Sequence, residues 1–270
     1  MIIVTALAGL LIVPHGALDL SLARELRWVK HSSRRLGVFL TIYTVMAISF
    51  WIIWPYAPTL CLSIFWLMSI VHFGHNDTWH SSSSWVKWLS FLVCGTLPLI
   101  QSGFWHETEA MLLVTAMVPN TADVAAHLLK MSGYLWFIGA VFLAIVTVHQ
   151  GKNYQRLLEV AVLVFTFAIL TPELGFLVYG ATIHAPRHVR HTMPRAIAAH
   201  PFGQRGLIWE IVATLCLTLA LAVWALRTNI SFGQDVALIR LVFIGLAALT
   251  FPHMLLVDCR PGRWLTQALQ

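Results

Sequence analysis

Apolar runs of roughly 17–25 residues, the length of a membrane-crossing α-helix, recur along nearly the whole of this 270-residue chain. Reading the chain against that length gives spans at 2–22, 37–54, 58–75, 85–102, 132–149, 157–171, 173–190, 207–226 and 237–257. The expected fold class is therefore all-α: a polytopic transmembrane helix bundle of about nine spans, with eight to ten the range. The sixth and seventh spans are joined tightly through Thr171-Pro172. The longest connection, 103–131, carries an expected re-entrant or interfacial helix around Glu109–Val118. Composition agrees. Hydrophobic residues make up 59% and charged residues 10%, against about 25% charged in an ordinary soluble domain. No stretch is polar enough to stand as a soluble domain, so residues 1–270 are expected to form a single integral membrane domain.

Charge sets the orientation. Alternate connections hold Arg24, Arg27, Lys30, Arg34, Arg35, Lys87, Lys152, Arg156, Arg187, Arg190, Arg195, Arg205, Arg260 and Arg263. The opposite side holds only Lys130 and Arg227, with Arg240 just inside the last span. Cytoplasmic loops collect the excess of Lys and Arg, which puts the N-terminus outside and the C-terminus in the cytoplasm. The same asymmetry accounts for the net charge of +6 without a nucleic-acid partner. The lipid bilayer is the partner, and a multi-pass place in the inner (plasma) membrane is the expected location. The first apolar run lacks a basic leader and a small-residue cleavage site, and reads as a retained helix. Cys61, Cys94, Cys216 and Cys259 show no paired spacing and read as buried small hydrophobes.

Imidazole is expensive in hydrocarbon, yet the chain has thirteen histidines. In the nine-span topology His15, His72, the pair His184 and His188, and His253 all fall in the inner halves of their spans. His184 and His188 are four residues apart, so they share one helix face and can chelate one ion. A lone intramembrane histidine is as readily a hydrogen-bonded residue at a helix interface. The convergence of His15, His72, His184 and His188 at one depth favours a metal. His253 stays open between interface packing and support of the ligands. His75, His80 and His191 read as solvated histidines at helix ends. Asp19, Asp77 and Asp258 follow histidines by four or five residues. A carboxylate that accepts the second ring N–H orients a ligating imidazole and offsets the charge of the ion. Asp19, on the same face as His15, is the best placed for this, while Asp77 and Asp258 equally mark the membrane boundary.

Four imidazoles without cysteine suit Zn, Cu, Fe or Ni. No nucleophile motif and no His-Glu-x-x-His helix supports a zinc hydrolase. Non-haem iron with a position open to dioxygen fits a substrate dissolved in the bilayer. Gly16, Gly74 and Gly180 leave room near these histidines for a long ligand.

The elements Pro-His-Gly-Ala-Leu-Asp (14–19), His-Phe-Gly-x-x-Asp (72–77), His184-Ala-Pro-Arg-His188 and FIGLAALTFPHMLLVD (243–258) resemble the Brp/Blh family of bacterial β-carotene dioxygenases. The resemblance runs in order along most of the chain and is weakest in 103–131 and 190–235. It implies cleavage of the central double bond of β-carotene by O2 to two molecules of retinal. It also implies Fe(II) held by His15, His72, His184 and His188, with Asp19, Asp77 and His253 supporting them. The retinal would typically serve a microbial rhodopsin. His75 and His191 are extra to the family pattern. Two other readings remain open at this stage. One is a membrane di-iron hydroxylase or desaturase, against which stands the lack of adjacent His-His pairs. The other is a non-enzymatic carotenoid- or retinal-binding protein.

Overall fold

A computed structural model describes residues 16–26, 28–29, 32–79, 83–118, 122–228 and 234–258. Among them every regular element is helical. The helices are α1 (Asp19–Glu25), α2 (Ser33–Ile53), α3 (Pro58–Asp77), α4 (Ser84–Trp105), α5 (Glu107–Met117) and α6 (Ala122–Gln150). They continue as α7 (Tyr154–Ile169), α8 (Pro172–Tyr179), α9 (Ala185–Ala199), α10 (Gly203–Thr228) and α11 (Gln234–Asp258). A π-helical turn, Gly180–His184, joins α8 to α9. Among the described residues four helices are long and apolar enough to cross a membrane: Ser33–Ile53, Pro58–Asp77, Ser84–Trp105 and Val124–Gln150. Their outward faces carry Val38, Ile42, Val45 and Ile52 on α2, and Leu135, Ile138, Val141 and Ile145 on α6, all exposed. Apolar faces of that extent mark a protein whose solvent is lipid.

Local chemistry sets the ends. The Ser32 hydroxyl accepts from the Arg35 amide and caps α2. Pro58 and Pro172 open α3 and α8, where a missing N–H costs nothing. Between α6 and α7 the chain reverses through Gly151 (φ +64°) and Asn153 (φ +62°), residue types that tolerate the left-handed region.

The helices lie close to the expected spans, with two differences. The fifth was expected at 132–149, but α6 begins ten residues earlier, at Ala122. The seventh was expected to end at 190, but helix runs to Ala199. It is also interrupted: Pro186 has no N–H to give the carbonyl four residues back, and the turn before it opens to the wider π spacing. A helix at Glu107–Met117 fills the expected place in the long connection. Most of the first expected span lies outside the described residues.

The chain divides into two compact units, Met1–Cys61 with Gly180–Cys259, and Leu62–Tyr179 with Arg260–Gln270. In the first, α1 is the internal strut. Its entry residue Leu18 packs with Ala196 of α9 and Leu207 of α10, and Leu22 packs with Leu256 and Val257 of α11. Arg24 pairs with Glu210 of α10 at 2.6 Å, and His200 joins the same carboxylate at 3.2 Å. Helices α2 and α11 meet through stacked Phe50 and Phe251, with ring centres 4.6 Å apart.

In the second unit α4 is the hub, in contact with α5, α6, α7 and α8. The Trp136 indole N–H donates to the Val93 carbonyl at 2.9 Å. Gly95 lets α4 approach α3 so closely that a methyl there would run into the Ile70 carbonyl and the backbone of Gly74. Gly95→Ala is therefore expected to lower stability by about 1–3 kcal/mol. Gly139→Ala, whose methyl would meet side chains of Val93 and Leu89 at 3.6 and 3.8 Å, should stay within about 0.5 kcal/mol of wild type. Thermal unfolding in matched detergent measures both.

Candidate functional site

The first unit gathers its polar groups around the end of α11. Asp19, buried at the start of α1, accepts from the Tyr43 hydroxyl of α2 through Oδ2 at 2.6 Å. Through Oδ1 it accepts from His253 Nδ1 of α11 at 2.7 Å. A carboxylate only accepts, so Nδ1 carries the proton. The His253 ring lies edge-on to the His188 ring of α9, with centres 5.6 Å apart. The Thr192 hydroxyl, one turn beyond His188, is 3.5 Å from His188 Nε2. His184, His188, His253 and Asp258 are all buried. The π turn ends on His184; such turns are rare and recur at functional sites.

The second unit holds His72 and Asp77 on α3. His72 is buried, and the Asp77 carboxylate accepts from the Tyr179 hydroxyl of α8 at 2.7 Å. Phe73 packs edge-on against Tyr179 and Phe176, so the aromatic faces of α8 fix the last two turns of α3.

Set against the sequence, His72, His184, His188 and His253 are buried on helices as expected, and His15 and His80 lie outside the described residues. Among the described residues no three of His, Cys, Asp and Glu converge as ligands of one ion. His184 and His188 belong to the first unit and His72 to the second. The donor chemistry nevertheless suits a first-row metal, since two buried imidazoles four residues apart, His184 and His188, are donors such an ion takes.

Other expectations change. Asp19 holds His253 and Tyr43, a pairing its spacing from His15 did not reveal. Asp77 is buried and bonded rather than a boundary marker. His75 is buried with its ring against Phe91, not solvated, whereas His191 is exposed as expected. Gly74 leaves no room for a ligand, because the Phe91 ring edge stands 2.7 Å from where its Cβ would be. Cys61 and Cys94 are buried, but Cys216 is exposed.

Sequence reasoning missed Tyr43, Tyr179 and Thr192. The available signal was that a tyrosine inside a span must find a partner for its hydroxyl. Removing a donor from a buried carboxylate leaves part of its desolvation unbalanced. Tyr179→Phe is accordingly expected to cost about 1–3 kcal/mol, read as a lower thermal midpoint.

Residues 6–259 match the family model described as beta-carotene 15,15'-dioxygenase. The chain is 30% identical over 257 residues to the beta-carotene 15,15'-dioxygenase of the uncultured marine bacterium 66A03, a match covering 91% of this chain and 88% of that protein. No solved structure matches.

Proposed function

Since the chain belongs to the beta-carotene 15,15'-dioxygenase family, we propose that it cleaves β-carotene with O2 at the central double bond, releasing two molecules of retinal. The observation that carries this reading is the family match across residues 6–259. It is supported by the burial of His72, His184 and His188, which stand in the family-like elements of the sequence, on helices of an apolar bundle.

Fe(II), held by His15, His72, His184 and His188, would supply activation of dioxygen. The protein supplies the rest. Buried imidazoles keep the donor set dry, and a low-dielectric surround strengthens each polar contact within it. Asp19 and Asp77, fixed by tyrosine hydroxyls, supply buried negative charge, Asp19 against the His253 ring and Asp77 about one and a half turns from His72 on the same helix. β-Carotene is apolar along its whole length and would enter from the bilayer, and positioning of its central bond is the protein's main contribution to rate. The topology that goes with this function has nine spans in the inner membrane, with the N-terminus outside and the C-terminus in the cytoplasm. A microbial rhodopsin is the natural consumer of the retinal.

Expression in bacteria that accumulate β-carotene tests the reaction. Wild-type cells should lose the orange pigment and gain retinal by chromatography, and His188→Ala should lower retinal by at least about 100-fold, in keeping with loss of an essential group. Unchanged pigment with folded, iron-loaded protein would rule out β-carotene as substrate. Purified protein should carry one iron per chain, where a di-iron enzyme would carry two. Chelation should abolish retinal formation, and Fe(II) should restore it. A green fluorescent protein fused to the C-terminus should fluoresce, and an alkaline phosphatase fused there should be inactive. The reverse pattern would invert the topology.

A further inference from the structure

The Asp19 carboxylate is shared by two other helices, with Tyr43 on one oxygen at 2.6 Å and His253 on the other at 2.7 Å. Both are short, well-formed hydrogen bonds that fix the carboxylate between the two helices. Because Asp19 takes the Nδ1 side of the ring, Nε2 is the His253 nitrogen that could face an ion. That nitrogen lies on the far side of the ring from Asp19 and is fully buried. Metal-ligating histidines show this arrangement as a rule, one nitrogen on the ion and the other N–H on a carboxylate.

The distance to His188 agrees. A metal–nitrogen bond of about 2.1 Å and a ring half-width of about 1.1 Å place each ligating ring centre about 3.2 Å from the ion. Two rings on one ion are then separated by at most about 6.4 Å. His188 and His253 stand 5.6 Å apart, edge to face, inside that limit. Charge points the same way. Asp19 and Asp258 are both buried near this ring, and a divalent ion held there would offset carboxylate charge that burial makes costly.

We propose that His253 is itself a metal ligand beside His188, with Asp19 orienting its ring and Tyr43 orienting Asp19. This deepens the metal-dependent reading above and rests on it. A histidine that merely packed at a helix interface would need the Asp19 bond, but would not need the His188 ring within reach of a common ion.

Cobalt(II) titration of the full chain in lipid nanodiscs, followed by visible absorption, is the test and involves no carotenoid. His253→Gly should weaken cobalt binding by at least about 100-fold and change the spectrum at saturation, and added imidazole should restore both, as expected for loss and return of a ligand. Asp19→Asn, which keeps the side chain's shape, should weaken binding about 10–100-fold without changing the ligand set. The proposal is overturned if His253→Gly binds as tightly as wild type, if its saturated spectrum is unchanged, or if imidazole restores nothing. Should His253→Gly fail to fold, Asp19→Asn decides alone, and wild-type affinity there overturns the proposal. His188→Ala separates the two levels. If it too binds cobalt normally, the metal reading itself falls; if it loses cobalt while the His253 and Asp19 variants do not, only the present inference falls.

Discussion

Hydrocarbon offers no hydrogen-bond partner, so every carboxylate drawn into the bundle has to be held by donors from the protein itself. Asp19 is met by Tyr43 and His253, Asp77 by Tyr179, and Glu210 by Arg24 and His200. In each case at least one donor comes from a different helix, which makes the carboxylate a tie between elements that apolar packing alone would leave free to slide. Hydroxyls obey the same rule. Thr96, Thr147, Thr166, Thr214, Thr218 and Thr250 each turn back to the carbonyl one turn before them.

Helix α1 shows how far that constraint reaches. Seven residues long, it is too short to be stable alone, yet it touches α9, α10 and α11 through Leu18, Leu22 and Arg24. Its first residue, Asp19, sets the ring of His253. The order at this end of the first unit thus comes from tertiary contacts on both faces of α1, not from its own propensity. The exposed pair Lys130–Glu107 is the contrast: it lies at the surface, where such bonds add little.

The two units solve a common chemical problem in a similar way. Each carries buried histidine together with an aspartate fixed by a tyrosine hydroxyl: Asp19 by Tyr43 in one, and Asp77, on the same helix as His72, by Tyr179 in the other. Fixed imidazoles in a dry interior suit chemistry on a hydrocarbon substrate, since orientation is settled before the substrate arrives. Family membership across nearly the whole chain gives that architecture its reaction class.

The positions of the helices were legible in the sequence, because length and apolarity alone decide what can cross a hydrocarbon layer. Helix α2 falls at 33–53 against an expected 37–54, and α4 at 84–105 against 85–102. The burial of His72, His184, His188 and His253 was legible too, since a group so costly in lipid stands out in a list of residues. What the tertiary structure decided was partnership. Asp19 finds Tyr43 24 residues away and His253 234 residues away, and no local spacing encodes such a choice. The filling of Gly74's notch by Phe91 and the burial of His75 likewise depend on which helix lies alongside. Sequence periodicity specifies a face, and only packing specifies what that face meets.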